Sequence, residues 1–379
     1  MDKRMRRIEL KQRVTLQDAE ATVTRLGAAP EDLGALVVDL SDAVDIEIGA
    51  GVRIGNALRR YASFGLEVFV PPYKNEGWDK YFSRHWSLLT RSGLGLAIAT
   101  HATRIVASNN QVSDAFRKYY LDEYGETSQN LVIKKNIHEV VSINADDRDA
   151  FAMTFYSYLP KVNVHPGAFN RGDLATLIDL CREGVLNVRD HAFRKPLPSN
   201  TKILSYCSLR YYQDISGISA GMGPLAPYLD RLHKQHDEKR GGISGYLELI
   251  VNDDGVGVAG RQSQSQEIYW GPKGREEEVL LDALRKGASI KPVVMDAIVR
   301  GDPGYGFSIM ADSLRRLNGF ASLRTGRYLS VCDGTRRDPF STAFSIAKGR
   351  SSMHLGYLPG TLIQALVPIR SPQGALELR

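Results

Sequence analysis

Cysteine is scarce in this chain. Three in 379 residues, Cys181, Cys207 and Cys332, are odd in number and far apart, and no CxxC pair occurs. That argues against a disulfide framework, a zinc site or a dithiol redox centre, and is in keeping with reduced thiols in a cytoplasmic protein. Long apolar runs are also missing. The most apolar stretch, SGLGLAIAT at 92–100, is far too short to cross a bilayer, and no apolar segment follows the basic opening MDKRMRRIELKQR, so no membrane insertion is expected. Charge of one sign is nearly balanced: 49 Lys and Arg against 43 Asp and Glu give +6, too small an excess to argue for nucleic acid as a partner. Internal repeats and low-complexity tracts are absent too, as is the GxxxxGK[ST] pattern of a P-loop.

What is present is 43% hydrophobic and 24% charged, an ordinary globular composition long enough for about two domains. Residues 33–72 read as buried strand (Leu36 to Leu40), glycine-bearing turn, helix (52–63) and buried strand (Leu66 to Val70), closed by Pro71-Pro72. Short, uniformly apolar strands alternating with a helix predict an α/β unit over 14–110. Residues 111–149 show no clear period and serve as a connecting segment. From 150 to 370 the order becomes helix, paired strands, polar excursion, helix and final strands, the pattern of an α+β sandwich. Two excursions, 213–241 and 259–303, are long enough to be lids or binding segments.

Polar residues in CREGVLNVRDHAF (181–193) draw the eye. Asp173 suits an N-cap, and Arg194-Lys195-Pro196 a stop, so a helix is predicted over 174–194. Leu174, Leu177, Ile178, Cys181, Val185, Val188 and Ala192 form its core stripe. Asp179, Glu183, Asn187 and either Asp190 or Arg194 form another, with Glu183 and Asn187 one turn apart. Alone, that stripe reads as a solvated face. Gly184 lies between them, where alanine would be more helical by about 1 kcal/mol, so a neighbour packs closely or a ligand approaches the backbone. A carboxylate beside a carboxamide can also serve a hydrated Mg²⁺ and an attacking water.

In VNDDGVGV (251–258) a strand from Tyr246 to Val251 breaks at Asp253-Asp254-Gly255. The carboxylate could accept from an exocyclic amine, although Asp-x-Gly-x-Gly fits a plain turn equally well. In GDPGYGFSIMADSLRRLNG (301–319), Gly304 and Gly306 lead into a helix with Phe307, Met310, Leu314 and Leu317 inward and an Asn318-Gly319 stop. A glycine turn feeding a helix N-terminus is a phosphate cradle.

In this order the three segments resemble the GHKL ATP-binding fold of sensor histidine kinases, gyrase, mismatch-repair and heat-shock chaperone ATPases. Glu183-x-x-x-Asn187 with Asp190-His191-Ala192 looks like the N box, Asp253-x-Gly255-x-Gly257 like the first glycine box, and Gly304-Tyr305-Gly306-Phe307 like the second. PGTLIQALVPI (359–369) resembles the closing strand, with Thr361 supporting the adenine-binding aspartate. The resemblance implies ATP and Mg²⁺ as cofactors, Asn187 as metal ligand and Glu183 as the catalytic base that activates water. It also implies nucleotide contacts from Asp253, Gly255, Gly257, His191, Gly304, Tyr305, Gly306, Phe307 and Thr361 under a lid at 259–303. Asp190 stands where many members carry lysine, which turns attention to Lys273 or Arg275 in the lid. Residues 33–72, with LVVDLSD and GLEVFV, more loosely resemble STAS domains; DIEIGAG, with Glu47, stands at the turn that carries their phosphorylated serine. The function implied is a regulatory Mg-ATP switch that hydrolyses slowly and controls a protein partner or homodimer contact. A protein kinase of the histidine-kinase or anti-sigma type and a non-catalytic nucleotide sensor are the alternatives.

Overall fold

In the computed structural model, residues 6–26, 35–61, 65–71, 89, 92–118, 120, 137–139, 144–192, 205–215, 225–237, 242–255, 257–258, 273–285, 306–336, 344–347 and 355–370 are described. The chain divides into two units, one of residues 1–137 with 354–359 and one of residues 138–353 with 360–379.

The first unit is built on short apolar strands. β1 (Arg6–Glu9), β2 (Arg13–Val14), α1 (Leu16–Leu26), β3 (Leu36–Asp39), β4 (Asp45–Ile46), α2 (Ile48–Leu58) and β5 (Leu66–Phe69) follow one another. Then come α3 (Leu94–His101), β6 (Arg104–Ala107), β7 (Asn110–Gln111) and α4 (Ser113–Arg117). One sheet has the order β1-β3-β5-β6-β7, and β2 pairs with β4 apart from it. β1, β3, β5 and β6 run parallel, and β7 turns back antiparallel to β6. Parallel strands need crossovers, and apolar runs such as Leu36-Val37-Val38 are what a sheet covered by helices demands. Gly51 and Gly55 of α2 serve close packing: a side chain on Gly51 would run into Ser92, and a Cβ on Gly55 would lie 3.0 Å from that of Ala97 on α3.

Glu47 directly precedes α2 but caps a different helix. Its Oε2 accepts from Leu16 N–H at 3.0 Å, at the start of α1, while its Oε1 is buried without a partner among the described residues. Burial pushes its carboxyl above the usual carboxylate range.

The second unit contains β8 (Ile137–Glu139, its first residue counted with the first unit), α5 (Arg148–Tyr158), α6 (Arg171–Ala192), β9 (Ser205–Tyr212), α7 (Leu225–Asp237) and β10 (Ile243–Asp253). α8 (Lys273–Leu284), α9 (Gly306–Leu317), β11 (Phe320–Gly326), β12 (Tyr328–Asp333), β13 (Ser345–Ile346) and β14 (Leu358–Arg370) complete it. Its seven-stranded sheet has the order β13-β12-β11-β14-β10-β9-β8, with β9, β10 and β14 antiparallel neighbours and β11, β12 and β13 likewise. The molecule therefore joins an α/β unit to an α+β unit. Among the described residues no helix is long and apolar enough to cross a membrane.

Alternation along the strands sorts two faces. Leu247, Leu249 and Val251 of β10, with Ile363, Ala365, Val367 and Ile369 of β14, meet α5, α6 and α9 in the main core. Tyr246 and Leu366 point the other way and meet Leu225, Tyr228 and Leu232 of α7. α7 falls in the 213–241 excursion, which the sequence had suggested as a lid or binding segment. The described part is a covering helix, tied down by Tyr228 OH donating to Asn318 O at 2.8 Å and by an Arg231–Asp333 ion pair. The reason is its Leu225, Tyr228 and Leu232 spacing, which gives one apolar face among polar neighbours.

Candidate functional site

α6 begins at Arg171, earlier than Asp173 suggested, because Asn170 caps it. Asn170 Oδ1 accepts from Asp173 N–H at 2.8 Å, and Asn170 Nδ2 donates to Asp173 Oδ2 at 2.7 Å. Asp173 thus sits inside the first turn, where a carboxylate also suits the helix dipole. The apolar stripe of α6 from Leu174 to Val188 is buried as its spacing required.

The polar stripe separates by role. Asp179 is taken up by Arg148 of α5, whose Nε and Nη2 donate to it at 2.9 and 3.1 Å. Glu183 and Asn187 are only partly exposed. Arg182 Nη1 lies 3.5 Å from Glu183 Oε1, and Arg182 itself is anchored by Nε donating to Ala145 O at 2.7 Å. Gly184 is explained by packing: a Cβ there would stand 3.0 Å from Val251 Cγ2 and 4.0 Å from Met310 Cε. The absent side chain lets α6 lie directly on β10, two residues before Asp253.

Asn187 meets the second glycine segment. Its Nδ2 lies 3.7 Å from Met310 Sδ, and a Cβ on Gly306, the first residue of α9, would fall 2.8 Å from Asn187 Oδ1 and 3.0 Å from Nδ2. Glycine leaves room for the carboxamide against the opening of this helix. A methyl there would meet only the end of a side chain that can turn aside, so Gly306→Ala should change stability by no more than about 1 kcal/mol, alanine's helix propensity offsetting the shift of Asn187. Urea unfolding checks this. α9 runs on with Met310, Leu314 and Leu317 buried, and ends at Asn318, whose φ of 51° lets Gly319 N–H return to Leu314 O at 2.7 Å.

Asp253 closes β10 and is 2% exposed. Its Oδ1 accepts from Gly255 N–H at 2.8 Å, which turns the chain sharply out of the sheet. Gly257 has φ 71°, and a Cβ there would lie 2.7 Å from Thr325 Oγ1 and 3.0 Å from Gly360 O. Thr325 Oγ1 in turn donates to Gly360 O at 3.0 Å and accepts from Val258 N–H at 3.1 Å. Gly360, at φ 74°, lies against the Asp253 carbonyl, so the Asp253–Val258 turn is braced by β11 and β14. In register, Asp253 faces Thr361 on β14 and Ser205 on β9. The three side chains form one polar row on the helix-bearing face, one step beyond Cys207, Val251 and Ile363. Ser205 enters this row only through strand register, which the sequence alone does not show.

Phe307 packs edge-on to Phe344, ring centroids 5.7 Å apart. Gly304 and Tyr305, most of the 259–303 segment and the side chains of Asp190, His191, Lys273 and Arg275 lie outside the described residues. The described middle of that segment is α8. Its Leu280 and Leu284 enter the main core, and Glu276, 2% exposed, accepts from Arg327 N–H at 2.8 Å and from its Nη1 at 3.0 Å. Gly326 leaves the room Glu276 occupies.

Burial raises the Glu276 carboxyl above its ordinary value, against the pull of Arg327. The native state therefore holds its proton up to a higher pH than the unfolded chain does. Between the unfolded value near 4.5 and the raised one, this group's contribution to stability falls as pH rises. Glu276→Gln should flatten that part of a stability–pH curve, and Glu276→Ala should cost about 3 kcal/mol at pH 7 by leaving Arg327 without its buried partner. Urea midpoints across pH 4–7 test both.

Among the described residues no group of three or more His, Cys, Asp and Glu could hold a metal ion. No family model, curated protein or solved structure matches the chain.

Proposed function

We propose that the second unit binds Mg-ATP in the manner of the GHKL fold, hydrolyses it slowly, and uses the nucleotide state to control a contact with a protein partner or a second copy. The observation that carries this reading is the seating of the Asn187 carboxamide against the Cβ-less Gly306 at the start of α9. An oxygen ligand is thereby fixed beside a helix N-terminus, where backbone N–H groups and the helix dipole favour a polyphosphate. In the same unit the buried, braced Asp253 offers a carboxylate to an adenine amine, with Thr361 beside it in register. Glu183, one turn before Asn187, is the residue for polarising water. His191, Gly255, Gly257, Gly304, Tyr305 and Phe307 complete the proposed nucleotide contacts. A STAS-like character for the first unit belongs to the same proposal.

Calorimetric titration with ATP, with and without Mg²⁺, tests the binding. Asn187→Ala should lose most of the gain in affinity that Mg²⁺ brings while keeping the metal-free affinity, because a metal ligand has been removed and the base contact kept. Equal Mg-ATP affinity in both proteins would return Asn187 to a packing role. Incubation with γ-labelled ATP separates an ATPase, which releases phosphate, from a kinase, which labels a protein, and from a sensor, which does neither.

A further inference from the structure

Ser205 opens β9 directly opposite Asp253 and is 5% exposed, and its Oγ is buried without a hydrogen-bond partner among the described residues. Leaving a buried hydroxyl unmatched is costly; Ser322 and Ser330 Oγ share that condition among the described residues, and what sets Ser205 apart is its place opposite the Asp253 carboxylate. Serine here also displaces an apolar residue from the core face: the next positions on that face of β9 are Cys207 and Leu209, both packed into the main core. Thr361, 8% exposed, flanks Asp253 on the other side from β14. Across three adjacent strands, about 4.8 Å apart, the row thus reads hydroxyl, carboxylate, hydroxyl.

That sequence of groups can present donor, acceptor, donor. It is the complement of one edge of a 6-aminopurine, where the exocyclic amine stands between two ring acceptors, N1 and N7. A 6-oxopurine would set its carbonyl oxygen against the Asp253 carboxylate and an N–H where a donor waits. We propose that Ser205 is a base-specificity residue of the nucleotide pocket, donating through Oγ to one of the ring nitrogens beside the amine that Asp253 accepts from. The proposal rests on the ATP-binding reading above and extends it to a group on a third strand.

The test is calorimetry with ATP, GTP, 7-deaza-ATP and 1-deaza-ATP on the full chain, its Ser205→Ala, Ser205→Cys and Asp253→Asn variants, with melting temperatures measured alongside. Ser205→Ala should bind ATP about threefold to tenfold more weakly, the worth of one hydrogen bond. It should also abolish the penalty for one deaza analogue and retain the penalty for the other. Ser205→Cys, a weaker donor of similar size, should fall between the two. Unchanged ATP affinity in Ser205→Ala with a raised melting temperature would make the hydroxyl a mere packing defect and overturn the proposal. Weakened binding with both deaza penalties intact would overturn the direct contact. A parent protein that binds no ATP would overturn the ATP-binding reading itself. ATP binding that is lost in Asp253→Asn yet untouched in Ser205→Ala would overturn the role of Ser205 alone.

Discussion

Asp253→Asn is expected to weaken ATP binding by about 10- to 100-fold, the value of a hydrogen bond to a charged acceptor. The turn geometry makes the expectation directional. Oδ1 already accepts from Gly255 N–H at 2.8 Å, so an asparagine that preserves the turn must keep its carbonyl oxygen there. Its NH₂ then occupies the other oxygen's place and meets the adenine amine donor to donor. Flipping the amide to greet the base would instead set NH₂ against Gly255 N–H and loosen a turn braced by Thr325 and Gly360. Either way affinity falls, and only the second way does stability fall with it. Calorimetry and a melting curve on the same sample distinguish the two, and unchanged affinity would remove Asp253 from the site.

The candidate site was legible wherever a local rule was strong. The 3.6-residue spacing of Leu174, Leu177, Ile178, Cys181, Val185 and Val188 announced α6 and its buried face, and the run ending at Asp253 announced β10 and its turn. Asn318-Gly319 marked the end of α9 because asparagine tolerates positive φ. What the sequence could not carry was pairing across the fold. Gly184 raised a choice between a close neighbour and a ligand, and the neighbour, Val251, lies 67 positions away. Asp179 looked equivalent to Glu183 and Asn187 until Arg148 of another helix claimed it. Gly306 suggested a phosphate turn by its place before a helix, while its tight fit against Asn187 depends on how α6 and α9 cross. Ser205 was silent for a related reason: a lone serine acquires meaning only through strand register, which sets it opposite Asp253. The cap of α6 failed for a smaller cause, since Asn170 and Asp173 both suit an N-cap and their mutual hydrogen bonds decide the order.

In the proposed ATPase, Glu183 is the residue whose loss should slow hydrolysis most. Gly184 presses α6 onto β10, and Asn187 is seated against Gly306 one turn later, so the rotation of the helix is fixed from both sides of Glu183. Its carboxylate is held near Arg182 Nη1 at 3.5 Å, and the tether from Arg182 Nε to Ala145 O keeps that guanidinium in place. In the proposed site a carboxylate on this rigid element, one turn from the proposed Mg²⁺ ligand, would serve the γ-phosphate end of a nucleotide whose adenine is read by Asp253. Glu183→Ala should therefore bind ATP with nearly parental affinity while hydrolysing it 10²- to 10⁴-fold more slowly, the typical cost of losing a general base. The variant would then accumulate in the ATP-bound state. If that state governs a contact, sedimentation or co-purification with ATP present should find the variant associated with its partner, or with itself, for longer than the parent. Hydrolysis at the parental rate would end the assignment of Glu183 as base. Slow hydrolysis with no change in association would leave an ATPase without a switch, because the nucleotide state would then have no contact to control.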